Sequence, residues 1–178
     1  MKKSLTEYHT LIDLFEEFRE LIKPKVINGV PDFTVVAIER QHNGLRLLHN
    51  RLKTIEISNW DISEQVDYHV VRAEMNGVEF DHSVLKQWSR DPGFYNLSDG
   101  IYPRLLVHHS RSLSDWGLYE PSVPLSTKDQ EDFKIKLKAI PELFNQAKFN
   151  LTDAVPDLAE IAIRVKEKDI QLLENILK

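Results

Sequence analysis

The stretch from Trp60 to Trp88, which with Asn59 reads NWDISEQVDYHVVRAEMNGVEFDHSVLKQW, constrains the fold more than any other part of the chain. It predicts one long helix. Asp61 with Glu64 three residues on fits a capping box, so the helix is expected to begin there. Pro92 follows the expected end, and Asp91 ahead of it is pushed away from helical angles. At about 100° per residue, Val66, Val70, Val71, Val78, Val84, Leu85 and Trp88 fall on one broad arc. Asp67, Glu74 and Asp81 recur every seventh residue and fall in the middle of that arc. A buried carboxylate needs a cation, hydrogen bonds or a proton. The helix is therefore expected either to bury salt bridges or to line a polar cavity.

Other helices flank this one. Leu5, Tyr8, Leu11, Ile12, Phe15, Phe18 and Ile22 recur at helical spacing and predict a first helix over 4–23, ended by Pro24. The Asn28-Gly29 pair has no alternating runs beside it, so it is expected to lie in a helix–helix connection. Pro31 suits the first position of a second helix running to about Ile57, with Ala37, Ile38, Leu45, Leu48, Leu52 and Ile55 as its core stripe. Gly44 on the edge of that stripe is expected to let another helix approach closely. Residues 89–125 are expected to form one long loop carrying Phe94, Tyr95, Tyr102, Trp116 and Tyr119, with a short helix over about 103–113. Ser126 starts the next helix, where Phe133, Leu137, Ile140, Phe144, Ala147 and Leu151 keep one stripe across Pro141 and predict a kinked pair. A last helix begins near Pro156 and reaches Lys178 with no exit signal, as a truncated chain would.

The totals exclude several classes. A chain of 178 residues with 42% hydrophobic content is expected to be a single domain with a folded core. The formal net charge of −5 and the lack of any Lys/Arg block argue against nucleic acid as the main partner. Cysteine is absent, which removes disulfides and thiolate chemistry. No apolar run approaches the roughly 20 residues of a membrane helix, and no apolar h-region follows the two opening lysines, so a cytoplasmic location is expected. There is no G-x-S-x-G elbow and no Gly-rich phosphate loop. The fold class expected is all-α: about six helices in an irregular bundle, with one aromatic-rich loop and no significant sheet.

DYHVVRAEMNGVEFDHSVLKQWSRDPGFY, Asp67 to Tyr95, and IPELFNQAKFNL, Ile140 to Leu151, resemble a bacterial family of mostly helical proteins catalogued as domain of unknown function 885. The resemblance runs from about Leu11 through Leu151. Proteins of that family look like zinc metallopeptidases and are several times longer than one domain of this size. Their metal site lies in the C-terminal half, on a His-Glu motif followed shortly by Pro-Gly-His-His, and that motif is absent here. The resemblance thus implies a non-catalytic N-terminal helical part that packs on a catalytic half and helps wall its cleft. Zinc is implied for the full-length family only, and no cofactor for this chain. The alternative is a free-standing helical interaction module that binds a partner or itself. A third reading is a small-molecule binder that uses the acid stripe as its pocket.

Three sets of residues are candidates. Asp67, Glu74 and Asp81, with Arg72 and Arg90 nearby in sequence, are either a polar cleft wall or structural ion pairs. In Arg90-Asp91-Pro92-Gly93-Phe94-Tyr95, Arg90 would hold a peptide carboxylate and Tyr95 would contact substrate; otherwise the segment is an ordered turn that caps the long helix. The seven histidines lack the H-E-x-x-H setting of a zincin. His108 and His109 would point about 100° apart on a helix. His42 and His49 would stand about 10 Å apart along one, too far for a shared metal without a second helix. No catalytic or metal-ligating residue is assigned.

Overall fold

A computed structural model describes residues 2–95 and 126–176. The expected short helix over 103–113, the aromatics Tyr102, Trp116 and Tyr119, and His108-His109 lie outside the described residues, as do the side chains of Phe133, Leu172 and Leu173. The described chain is mostly α-helical, as its periodicities require, with a single two-stranded hairpin among the described residues. It groups into two compact units: Met1–Pro24 with Val35–Val84, and Lys25–Thr34 with Leu85–Lys178.

The first unit holds α1 (Lys2–Ile22), α2 (Val35–Leu52) and α3 (Ile62–Phe80). Leu11, Leu14 and Phe18 of α1 and Leu45, Leu48 and Leu52 of α2 recur three or four residues apart, so each set forms one stripe. They share a core with Trp60 and with Tyr68, Val71, Met75 and Val78 of α3. Gly44 sits where α1 comes close: a Cβ there would stand 2.7 Å from Leu21 Cδ1. The buried Gln41 amide donates to the Ile22 carbonyl at 3.2 Å, satisfying an acceptor that the end of α1 leaves open.

The capping box forms as the sequence predicts. Asp61 is extended, and its N–H donates to Glu64 Oε2 at 3.2 Å. The end of the helix differs from the expectation. α3 stops at Phe80 and passes into a π-helical turn, Asp81–Leu85; Lys86 is then left-handed at φ 49°, and α4 is only Gln87–Arg90. Two contacts mark the change there. The Ser83 hydroxyl donates to the Glu79 carbonyl at 2.5 Å, competing with the backbone for that acceptor. The Asp81 N–H is shared between the Gly77 and Val78 carbonyls.

The buried face of α3 is also rotated from the predicted arc. Val71 and Val78 are buried, but Val66, Val70 and Val84 are each 53% exposed. Tyr68 and Met75 complete the core face instead. The helix is apolar on two sides, and averaging the two placed the arc's centre on the acids between them.

In the second unit, β1 (Val26–Ile27) pairs antiparallel with β2 (Val30–Pro31), Val26 opposite Pro31 and Ile27 opposite Val30. Asn28 and Gly29 both have positive φ, 52° and 82°, as the Asn-Gly pair of a tight hairpin requires. This corrects the expected helix–helix connection; strands of two residues are too short to show alternation. It also corrects the expected helix start, because Pro31 is a buried strand residue and α2 begins at Val35. Val30 and Phe33 pack with Tyr95 and with Ala139, Leu143 and Ala147 of α5 (Thr127–Asn150). In place of the expected helix pair, α5 is one helix with the exposed Pro141 inside it; on both sides of the proline, partly buried Leu137, Ile140 and Phe144 pack beside the buried Ala139, Leu143 and Ala147. α6 (Pro156–Ile176) buries Ala162 and Val165 and packs on the 3₁₀ turn Pro92–Tyr95.

Candidate functional site

The three acids of α3 lie along one border of the helix. Asp67 is exposed and accepts a hydrogen bond from the Tyr8 hydroxyl of α1 at 2.7 Å. That bond raises the Tyr8 phenol above its ordinary value, with lesser contributions from burial and from the charges of Asp67 and Glu64. Glu74 and Asp81 are half-buried. On the wheel the acids fall between the buried face and the exposed valines, so they do not sit inside the core as the sequence suggested. Arg72 is exposed and lies about 160° around the helix from the acids. It is therefore on the wrong side to pair with them.

The segment from Arg90 to Tyr95 is built into the second unit. Arg90 Nε lies 3.4 Å from Asp153 Oδ2, a largely exposed pair of small energetic weight. The backbone is tied more firmly: Val155 N–H donates to the Arg90 carbonyl at 2.9 Å and Asp153 N–H to that of Ser89 at 3.2 Å. Asp91 Oδ1 accepts from Gly93 N–H at 2.7 Å, an Asx turn that sets up the 3₁₀ turn. Tyr95 is 1% exposed. Its hydroxyl donates to the Trp88 carbonyl at 2.7 Å and accepts from Asn150 Nδ2 at 2.8 Å. Burial pushes the Tyr95 phenol up to about 12, against the opposing pull of the Asn150 bond. The Lys166 ammonium donates to the Tyr95 carbonyl and lies 4.6 Å from the centre of the Phe144 ring. These contacts make Arg90, Asp91 and Tyr95 an ordered turn whose last side chain is interior.

Sequence reasoning treated the histidines one helix at a time, and packing pairs them across helices. His42 of α2 faces His82 of the π turn, ring centres 6.2 Å apart, and His49 Nε2 lies 3.3 Å from Glu79 Oε2. Each is a pair, and among the described residues no group of three or more His, Asp or Glu is placed to hold a metal ion.

The feature that sequence reasoning missed is the open side of α3. Val66, Val70, Ala73, Gly77 and Phe80 follow one another at intervals of four, three, four and three, and Val84 extends the row into the π turn. Val66, Val70 and Val84 are each 53% exposed, Phe80 is 49% exposed, and Ala73 is open as well. The spacing was available in the sequence as a second apolar stripe. Compared with family models, curated proteins and solved structures, the chain matches none. The described helices include none long and apolar enough to cross a membrane.

Proposed function

We propose that this chain is a non-catalytic helical docking domain, the N-terminal part of a protein like the metallopeptidase-like family it resembles, which packs on a catalytic half and helps wall its cleft. The observation that carries this reading is the exposed apolar side of α3, a helix whose opposite side already fills a core. Apolar surface in a continuous row on a helix is what an interface needs. The same reading puts the chain in the cytoplasm, where a sequence without cysteine lacks nothing it would need.

The test is a peptidase assay on the purified chain, with and without added zinc. It is followed by reconstitution with whatever the reading frame encodes beyond Lys178. Inactivity alone, together with binding to a downstream His-Glu and Pro-Gly-His-His region, is the expected result. Peptide hydrolysis by the chain itself, abolished by a chelator, would overturn the reading.

A further inference from the structure

We propose that His42 and His82 form a two-histidine site for a borderline divalent transition-metal ion, of the Ni²⁺, Cu²⁺ or Zn²⁺ class, between α2 and the π turn. This site goes beyond the docking reading and does not depend on it. On α2, His42 follows Ile38 by four residues and precedes Leu45 by three, so it lies on the row that fills the core. On α3, His82 follows Val78 by four and Met75 by seven, so it extends the buried row into the π turn. At this end of both rows an imidazole stands where a hydrocarbon side chain would otherwise be.

The two rings face each other across the helices, their centres 6.2 Å apart and their planes tilted by 54°. An ion held at about 2.0–2.1 Å by one nitrogen of each ring sets the ring centres about 5–6 Å apart. The pair therefore lies within about 1 Å of a ligating span. His42 Nδ1 is buried and makes no hydrogen bond. A buried ring nitrogen in that state calls for an explanation, and a neutral imidazole nitrogen is a common metal ligand. His82 has a further contact of its own. An imidazole has two nitrogens, so one can keep that contact while the other ligates, as is usual for a metal-bound histidine. The π turn carries His82 at the point where α3 leaves regular helical geometry, a setting that recurs at functional sites.

The donor set selects the ion. His49 Nε2 lies 3.3 Å from Glu79 Oε2, so those two engage each other. Among the described residues no third His, Asp or Glu completes a metal-binding group. The protein thus offers two imidazole nitrogens and leaves the remaining positions to water. Mg²⁺ and Ca²⁺ take oxygen ligands and do not fit. Imidazole suits the later transition metals, with affinity rising from Co²⁺ through Ni²⁺ to Cu²⁺. An ion bound there ties the end of α3 to α2, so binding stabilises the fold.

Calorimetric titration of the untagged full chain with Ni²⁺, and separately with Mg²⁺, tests this, together with thermal melts across a range of Ni²⁺ concentrations. One Ni²⁺ per chain is expected, with a melting midpoint that rises with Ni²⁺, and no binding of Mg²⁺. His42→Asn and His82→Asn should each weaken Ni²⁺ binding about tenfold or more, at least the cost of losing a residue that merely supports a ligand, and should abolish the rise in midpoint. His49→Asn, and His108→Asn combined with His109→Asn, should leave both readouts unchanged. If a ligand variant folds poorly, the wild-type chain still decides: the imidazole NMR signals of His42 and His82 should be the first that Ni²⁺ broadens. The proposal is overturned by absence of Ni²⁺ binding at millimolar concentration, by binding that survives either ligand variant, by binding lost with His49 or with His108 and His109, or by broadening that begins at other histidines.

Discussion

The side chain of Asn150, at the end of α5, donates a hydrogen bond to the hydroxyl of Tyr95, 55 residues earlier in the chain, at 2.8 Å. The same amide nitrogen donates to the Phe33 carbonyl at 2.6 Å, so one buried asparagine joins the segment after the hairpin, the 3₁₀ turn and α5. Asn150→Leu leaves both acceptors without that donor in an apolar interior. It is expected to cost about 1–3 kcal/mol in urea unfolding.

Tyr95 gives this cluster a signature in alkali. Its folded value is about 12 against an ordinary 10.0, because burial disfavours the phenolate. The unfolded chain therefore releases this proton first as pH rises. The stabilisation is fully present below pH 10, and it is lost as pH climbs through about 12. A shift of that size corresponds to about 2–3 kcal/mol. Tyr95→Phe should lose about 1–2 kcal/mol at neutral pH and then fall less steeply than the wild type between pH 10 and 12. Denaturant unfolding at pH 8, 10, 11 and 12 measures both slopes; parallel slopes would remove Tyr95 as the titrating group.

Two adjacent valines test which face of α3 is the core. Val71 is 7% exposed and Val70 is 53% exposed. Val71→Asp buries a charge with no partner and is expected to cost more than about 3 kcal/mol, whereas Val70→Asp should stay within about 0.5 kcal/mol. Thermal melts of the two variants decide it. Large costs at both positions would restore the arc read from the sequence, which held the two valines together.

That arc shows where the sequence could be read and where it could not. Gly44 announced a close helix approach and Asp61 with Glu64 announced a helix start, because each effect is local and each residue type has few other uses. The arc failed because α3 has two apolar stripes, and counting valines cannot tell which is covered. Tyr68 and Met75 decide it only once α1 and α2 are in place. The hairpin failed for a different reason: two residues per strand carry no periodicity, and the crowding that leaves no room for a Cβ at Gly29 comes from Ile135, more than a hundred residues away. Tyr95 and Asn150 were out of reach likewise, since nothing near either names the other.

Two glycines should respond differently to alanine. Gly29 has φ 82°, and a Cβ there would lie 2.5 Å from Ile135 Cγ2. Backbone strain of about 1 kcal/mol and overpacking of about 1–3 kcal/mol act in the same direction, so Gly29→Ala should clearly destabilise. Gly44 is helical, and the atom it would meet is the end of the half-buried Leu21 side chain. Moving that methyl is opposed by a helix-propensity gain of about 1 kcal/mol. Gly44→Ala is therefore expected to stay within about 1 kcal/mol of the wild type, and unfolding midpoints for the pair measure the contrast.

The ion pair between Glu17 of α1 and Arg51 of α2 makes the last test. Arg51 donates through both terminal nitrogens, Nη2 to Oε1 at 2.9 Å. The hydrogen bonds from Arg51 hold the Glu17 carboxyl below the ordinary carboxylate range, against a smaller opposing effect of burial. The sign is that of a depressed acid: its contribution is present above the ordinary carboxyl value and is lost as pH falls through the folded one. Both side chains are about half exposed, 51% and 49%, so solvent screens the pair and the coupling should be about 0.2–1 kcal/mol. A double-mutant cycle with Glu17→Gln and Arg51→Gln at pH 7 reads that coupling directly. It should shrink in 1 M salt, where screening reaches within about 3 Å, and vanish in acid once Glu17 is protonated. A coupling that survived both conditions would mean that the two helices are held there by packing of the side-chain stems, with the charges incidental.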